Sequence, residues 1–117
     1  MEKYIVNISN SCNEDIFHIA EYIETTFFDI DTANKISLGI YAKINDLEYL
    51  APSFGLCENE KLAKAGIRKY YIGKYFIYYE IVGKNIVNVL RVRHELQDEN
   101  KFFKIDLIVK MRTFPIN

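Results

Sequence analysis

The chain has 117 residues, half of them hydrophobic, and a formal net charge of −1. A chain of this length buries roughly two-thirds of its unfolded surface as one domain, so it needs no stabilising disulfide or structural metal. Cys12 and Cys57 have neither metal-site nor redox-motif spacing, which predicts free thiols, no metal and no cofactor. The sequence shows no basic region followed by an apolar run and no apolar window of about 20 residues, which predicts a soluble, cytoplasmic protein without a membrane partner.

The two halves of the chain carry opposite charge. Residues 1–60 hold 3 Lys and 11 Asp or Glu, a balance of −8, whereas residues 61–117 hold 12 Lys or Arg and 5 Asp or Glu, a balance of +7. Such a chain can present a basic face to a polyanion or an acidic partner without being basic overall. The alternative is a solvated surface on which the two halves neutralise each other.

The N-terminal third predicts a strand followed by a helix. Residues 3–9 alternate apolar and other side chains, as in a strand with one buried face. Ser11 and Glu14 have the spacing of a capping box, which predicts a helix that starts there. Its apolar face is predicted to carry Ile16, Ile19, Ala20 and Ile23. Its polar face is predicted to carry Asp15, Glu21 and Glu24. His18 lies beside the apolar stripe and is interpreted as a partly buried packing residue with no functional role.

A second helix is predicted over residues 32–50. Its apolar residues recur at steps of three and four, and either Asp29 or Asp31 can cap its start. Gly39 interrupts the pattern and weakens the helix by about 1 kcal/mol relative to Ala unless close packing needs it. Residues 56–66 read as a polar connection with a short helical turn.

Residues 67–98 predict a three-stranded antiparallel meander. Runs of aromatic and β-branched residues cover 70–72, 75–82 and 86–92, and glycine-containing breaks separate them. Alternation along the middle run places Tyr75, Ile77, Tyr79 and Ile81 on the face expected to join the core. In the third run Arg91 and Arg93 share one face, and Leu90, Val92 and His94 share the other, unless a bulge or turn re-aims His94.

These elements predict an α+β fold in the order β-α-α-β-β-β, with two helices on one face of an antiparallel sheet. The predicted core residues are Ile16, Ile23, Ile36, Ile40, Ile44, Ile77 and Leu90. Residues 103–111 alternate with period two, which favours an additional C-terminal strand at a sheet edge or against a second subunit of a homo-oligomer; a terminal helix is the alternative. We expect a single domain over 1–117, with a core over 3–98 and a C-terminal extension over 99–117.

The order of these elements resembles the RelE/ParE family of toxins from bacterial type II toxin–antitoxin (plasmid stabilisation) systems. Two stretches carry the likeness, IRKYYIGKYFIYYEI and NVLRVRHELQD. They resemble the family's Ile-Arg followed by Gly-x-Tyr-x-Ile, and its closing Leu-Arg-Val-x-His with a polar run that ends in Asp. The resemblance implies a growth-inhibiting toxin with a cognate antitoxin protein as its partner.

The family resemblance implies two alternative targets. RelE-like members cleave messenger RNA in the ribosome, whereas ParE-like members bind and inhibit DNA gyrase. The resemblance therefore leaves open whether the chain is an enzyme, which would be an endoribonuclease. A catalytically inert binding module is a third alternative. Ribonuclease members commonly place Arg directly after the Tyr of Gly-x-Tyr, where this chain has Phe76. Phosphate binding also favours a strongly basic protein, and this chain has a pI near 6.1. Both departures favour either the ParE-like alternative or a degenerate member without nuclease activity.

The resemblance also implies candidate site residues. In a nuclease, His94 would transfer protons, and Arg91 and Arg93 would stabilise the phosphate in the transition state. The candidates for binding a nucleic acid or another target are Arg68, Lys69, Lys74 and Tyr78, and Tyr78 would stack on a base. We expect Arg68, Arg91, Arg93 and His94 to converge at the basic end of the meander.

Overall fold

The computed structural model describes residues 3–103 and 111–115. A sheet of four strands runs in the order β1 (Ile5–Ile8), β4 (Ile86–His94), β3 (Tyr75–Val82) and β2 (Arg68–Ile72). The meander is antiparallel as predicted, but β1 runs parallel to β4, so the sheet is mixed. After β1 the chain passes through two helices and re-enters the sheet as β2 at the opposite edge. The meander then returns across the sheet and brings β4 beside β1 in the same direction.

Two long helices, α1 (Asn10–Phe27) and α2 (Ile30–Asn45), cover one face of the sheet. Shorter helices follow at α3 (Leu47–Leu50), α4 (Glu60–Lys64) and α5 (Glu99–Phe102). The α+β class, the element order and the placement of both long helices on one face confirm the prediction. None of the helices among the described residues has the length and apolar character that a membrane crossing requires.

The helix starts differ from the prediction at α1 and agree with it at α2. Asp29 caps α2 by accepting a hydrogen bond from the Thr32 amide at 3.0 Å. The cap of α1 is Ser9, whose hydroxyl accepts from the Cys12 amide at 3.0 Å and donates to the Leu90 carbonyl at 2.8 Å. The predicted capping box at Ser11 is therefore wrong, because β1 ends at Ile8 and leaves no connecting residue except Ser9.

The main core lies between the long helices and the sheet. It contains Ile16, Ile40 and Ile44 from the helices and Ile77, Tyr79, Val87, Val89 and Val92 from the strands. Ile23 and Leu90 are also buried as predicted, whereas Ile36 is only partly buried. Asp15, predicted on the polar face of α1, is buried, and His18, predicted as partly buried, is exposed.

The opposite face of the sheet is buried as well, which the sequence analysis did not predict. A second cluster joins Tyr78 and Leu90 of the sheet to Leu62 and Ile67 and to two residues beyond the meander, Phe103 and Met111. The residues after β4 therefore contribute side chains to this face. Most of the predicted C-terminal strand, residues 104–110, lies outside the described residues.

A β-bulge interrupts the pairing of β3 with β4. Tyr78 lies opposite Arg91 and Tyr79 lies opposite Val89, so Leu90 has no partner in the ladder. The extra residue changes the alternation along β4, because Val89 and Val92 both reach the helix-side core while Leu90 reaches the second cluster. The predicted shared face of Leu90 and Val92 is therefore wrong.

Candidate functional site

The basic end of the sheet is built where β4 extends beyond β1. The pairing of the two strands stops at Val89, and the Ser9 amide, at the entrance of α1, donates to the Val89 carbonyl at 3.0 Å. The first turns of α1 therefore cover the part of β4 that β1 leaves unpaired. That part of β4 carries Arg91, Arg93 and His94.

Asp15 on α1 is the centre of this end of the sheet. Its carboxylate accepts from Arg91 at two points, Nε to Oδ2 at 2.7 Å and Nη2 to Oδ1 at 2.8 Å. It also accepts from Arg93 Nη1 at 3.3 Å and from the Val92 amide at 3.0 Å. One buried carboxylate thus satisfies an unpaired strand amide and holds two guanidinium groups. Planar two-point pairing of this kind fixes an arginine in one orientation.

Arg93 lies between Asp15 and the turn that follows β4. Its Nε donates to Gln97 Oε1 at 2.9 Å, and the same oxygen accepts from the His94 amide at 3.1 Å. The guanidinium carbon lies 4.9 Å from the centre of the Phe102 ring, which is a cation–π distance. Arg93 is therefore held by a carboxylate, an amide and an aromatic ring, while part of its side chain stays accessible.

His94 ends β4, beside Tyr75 at the start of β3. The two rings meet edge to face with their centres 5.5 Å apart, and His94 Nδ1 accepts from the Leu96 amide at 3.1 Å. His94 also borders a cavity of about 530 Å³ between α1 and the ends of β3 and β4. His18 and Tyr22 line the helix side of this cavity. His94 therefore lies at the end of β4 with its ring bonded to the backbone of the following turn.

Lys69 and Tyr78 form a second group on the sheet face opposite the helices. Lys69 Nζ lies 2.8 Å from Glu99 Oε2, and the Tyr78 hydroxyl donates to the same oxygen at 2.5 Å. Burial by itself lowers the pKa of Lys69, but the hydrogen bond and the charge of Glu99 outweigh it, so the pKa lies above its ordinary value. Burial and then the Glu99 carboxylate raise the pKa of Tyr78.

The ring of Tyr78 presents no accessible face to a nucleic-acid base in this structure. The residue is 1% exposed, and Phe102 and Phe103 pack against its ring with centre distances of 5.7 and 5.3 Å. The strand alternation placed Tyr78 outside the main core but contained no signal that another segment would cover it. Stacking on a base would require residues 102 and 103 to move away.

The remaining two candidates lie apart from Asp15. Arg68 Nη1 donates to the Phe54 carbonyl at 2.6 Å, and its register partner Tyr79 belongs to the helix-side core. Lys74 is exposed in the turn between β2 and β3. Arg91 and Arg93 meet at Asp15, and His94 borders the same cavity as Arg93. The predicted convergence does not include Arg68, because its strand position shares a face with Tyr79 and not with Tyr78, the register partner of Arg91.

Asp15, Gln97 and Glu99 complete the site and were not predicted. Asp15 directly precedes Ile16 at the border of the apolar stripe, which is the signal that could have indicated a half-buried carboxylate. Gln97 and Glu99 lie in a polar stretch, and sequence alone contains no signal for the arginine and lysine that they contact.

A family model described as the ParE toxin of the type II toxin–antitoxin system parDE matches residues 6–99. None of the curated proteins matches the chain.

Solved structures with the same fold include two toxin–antitoxin systems. The chromosomal ParDE toxin–antitoxin system from P. aeruginosa superposes with a TM-score of 0.67 at 14% identity, covering 80% of this chain and 98% of that one. The toxin–antitoxin complex RelBE2 from Mycobacterium tuberculosis superposes with a TM-score of 0.59 at 18% identity, covering 83% of this chain and 97% of that one.

Proposed function

Because the chain belongs to the ParE family of type II toxins, we propose that it inhibits growth by binding DNA gyrase and not by cleaving RNA. Gyrase inhibition is what the resemblance to ParE-like members implies. The observation that carries the choice between the two targets is the way in which Asp15 holds Arg91 and Arg93.

A ribonuclease of the RelE type needs cations that are free to meet a phosphate as its charge develops. The Arg91 guanidinium meets Asp15 at two points, and Arg68 donates to the Phe54 carbonyl. Arg91 would have to give up a buried ion pair before it could contact RNA, which carries a large free-energy cost. Arg91 therefore positions the strand end, and a phosphate clamp would need another cation.

The residue after the Tyr of Gly-x-Tyr supports the same choice. Phe76 stands where the ribonuclease members that this chain resembles commonly have Arg, and the Phe76 ring lies 4.5 Å from Lys69 Nζ. An aromatic ring beside an ion-paired lysine suits contact with a protein surface better than contact with a phosphate backbone. A protein target such as gyrase fits that chemistry. A toxin that binds gyrase would act in the cytoplasm.

We propose a cognate antitoxin as the physiological partner. The two solved structures are, by their titles, a ParDE toxin–antitoxin system and a RelBE2 toxin–antitoxin complex. The region shared with the family model, 6–99, would form the toxin core of one domain, and the residues after 99 would form its extension.

Cleavage of messenger RNA is the second candidate function. The observation that favours it is the position of His94 next to Arg93, on the rim of a cavity of about 530 Å³. In that function His94 would transfer the proton and Arg93 would contact the phosphate.

Induced expression in a bacterial host, alone and together with any short reading frame found beside the gene that encodes a candidate antitoxin, tests the proposal. We expect growth to stop, DNA synthesis to fall before protein synthesis, and the antitoxin to restore growth. Primer extension on abundant messages should give the same products before and after induction. New cleavage ends within messages, with DNA supercoiling unchanged, would support the second candidate instead.

A further inference from the structure

The connection between α1 and α2 forms an exposed tip at one end of the helix pair. Every residue of the range 24–32 is exposed, and a buried residue of each helix flanks the range. The range includes Phe27, Phe28 and Ile30, which are 64%, 91% and 51% exposed. We call residues 24–32 the hairpin tip. Large apolar side chains concentrated at one place on a surface mark a site of contact with another molecule.

Phe28 has a backbone conformation that favours glycine. It follows the last residue of α1 with φ 54° and ψ 37°, and no other non-glycine residue in the described part of the chain has a positive φ. Glycine is common at this position of a helix end because it has no Cβ atom. The Phe28 ring gains almost no burial in the monomer that would offset this strain. Contact with a partner therefore explains the ring better than the stability of the monomer does.

The hairpin tip is acidic as well as apolar. Residues 4–34 contain six acidic residues and no Lys or Arg. Glu24 and Asp31 are exposed, and within the described residues neither carboxylate pairs with a cation. Such a surface repels the phosphates of a nucleic acid. Its charge favours a partner that presents cations beside an apolar surface.

The same chain carries a surface of the complementary kind. An apolar cleft of about 400 Å³ lies between α2 and the turn that joins β2 to β3. It is lined by Ile36, Ile72 and Tyr75 and by two exposed lysines, Lys35 and Lys74. Neither lysine pairs with a carboxylate among the residues that the structure describes. This lysine-lined cleft thus combines an apolar wall with two uncompensated positive charges.

We propose that the hairpin tip of one copy docks in the lysine-lined cleft of a second copy of this chain. A cleft of this volume accepts small organic groups, so an aromatic side chain such as Phe28 can enter it. The ammonium groups of Lys35 and Lys74 would then lie beside an aromatic ring and the carboxylates of the tip, and both contacts are favourable. A two-fold axis gives each copy both roles and closes the assembly at two copies. This dimer does not depend on the identity of the toxin's target.

Sedimentation velocity of the full chain tests for the dimer. Protein concentrations from about 1 to about 300 µM cover the dissociation constants expected of a weak interface. We expect the unaltered protein to shift from monomer to dimer as its concentration rises. The dissociation constant should increase with added salt, because salt screens the charges at the rim of the contact.

Three variants assign the two surfaces. Phe28→Gly removes the ring and relieves the backbone strain, so it should weaken the dimer at least about tenfold while the melting temperature stays the same or rises. Lys74→Glu reverses a charge in the cleft and should weaken the dimer similarly. Leu96→Ala is the matched control, because Leu96 is 86% exposed and lies outside both surfaces. This control should form the dimer as the unaltered protein does.

Mixing the two weakened variants tests whether the tip and the cleft meet each other. The Phe28→Gly protein keeps an intact cleft, and the Lys74→Glu protein keeps an intact tip. A mixed pair can therefore form one of the two contacts, which neither variant can form with itself. We expect the mixture to associate more tightly than either variant alone.

A monomeric unaltered protein over the whole concentration range would overturn the proposal. A dimer that persists in both Phe28→Gly and Lys74→Glu would place the interface on another surface, and a dimer lost only in Phe28→Gly would place the tip outside the cleft; both results contradict the proposal. A monomer whose inhibition of gyrase is lost in Phe28→Gly would assign the tip to that protein instead. None of these results changes the outcome of the gyrase assay on the unaltered chain, so the dimer and the proposed function fail separately.

Discussion

Asp15 and Arg91, separated by 76 positions in the chain, form a two-point ion pair that joins helix α1 to the end of β4. The Asp15 side chain is 6% exposed and that of Arg91 is 16% exposed. The same carboxylate accepts from the Val92 amide, so one residue satisfies the unpaired edge of β4 and fixes its basic side chains. The pair explains how the end of β4 is held in place where β1 no longer pairs with it.

Replacing Asp15 with Ala should lower the free energy of unfolding by about 3–5 kcal/mol, because it leaves a buried guanidinium and a strand amide unpaired. Urea denaturation measures the change. Glu14→Ala, which removes an exposed carboxylate from the preceding position, is the control and should change stability by less than about 0.5 kcal/mol. A loss of similar size in both variants would contradict the role given to Asp15.

Arg93 and Arg91 should respond differently to alanine. Arg93 is more exposed than Arg91, so Arg93→Ala should cost only about 1 kcal/mol of stability, yet it should relieve growth inhibition. Arg91→Ala should reduce stability severalfold more, and its loss of toxicity should follow the loss of folded protein. Melting temperature, measured beside growth, separates the two effects. Full toxicity in a folded Arg93→Ala variant would exclude Arg93 from the target surface.

Gly39→Ala should stabilise the protein by about 0.5–1 kcal/mol, because alanine restricts the unfolded chain and favours the helix. A Cβ atom at Gly39 would meet Ile72 Cδ1 at 3.6 Å, an ordinary van der Waals distance. Thermal denaturation of the variant tests this expectation. A lower melting temperature would mean that α2 needs a closer approach to β2 than the structure shows.

Both cysteines should react slowly with a thiol reagent in the native protein at pH 8. Burial, followed by the charge of Asp15, raises the pKa of Cys12, and burial raises the pKa of Cys57 to about 11. At pH 8 a thiol with that pKa is ionised in only about one molecule per thousand, and the thiolate is the reactive form. Denatured protein should react fully at both sites, and rapid reaction of the native protein would contradict the burial of these residues.

The strength of the sequence patterns explains which features could be predicted. Ile77 and Tyr79 alternate with Phe76 and Tyr78, and that period alone identifies β3 and its helix-side face. The bulge at Leu90 has no pattern of its own, because the ladder can absorb one extra residue wherever the packing favours it. The order of the elements and the family motifs could therefore be predicted from sequence. The face of the sheet on which Leu90 lies could not.

The site could be predicted only in part for a related reason. His94, Arg91 and Arg93 are close in sequence and stay close in the structure, so a motif can identify them together. Their partners come from distant segments, Asp15 from α1 and Glu99 from α5, and nothing in a single sequence reports such long-range ion pairs. In sequence, Arg91 and Arg93 have the pattern of a phosphate site. In the fold, both contact the carboxylate of Asp15.

Supercoiling of relaxed plasmid by purified DNA gyrase, measured with increasing amounts of this protein, is the decisive test of gyrase inhibition. We expect the protein to inhibit supercoiling, Arg93→Ala to raise the concentration needed by about tenfold, and a translating ribosome preparation to yield no cleaved message. Unchanged supercoiling at a large excess of protein, together with message cleavage that His94→Gln abolishes, would contradict the proposed gyrase inhibition.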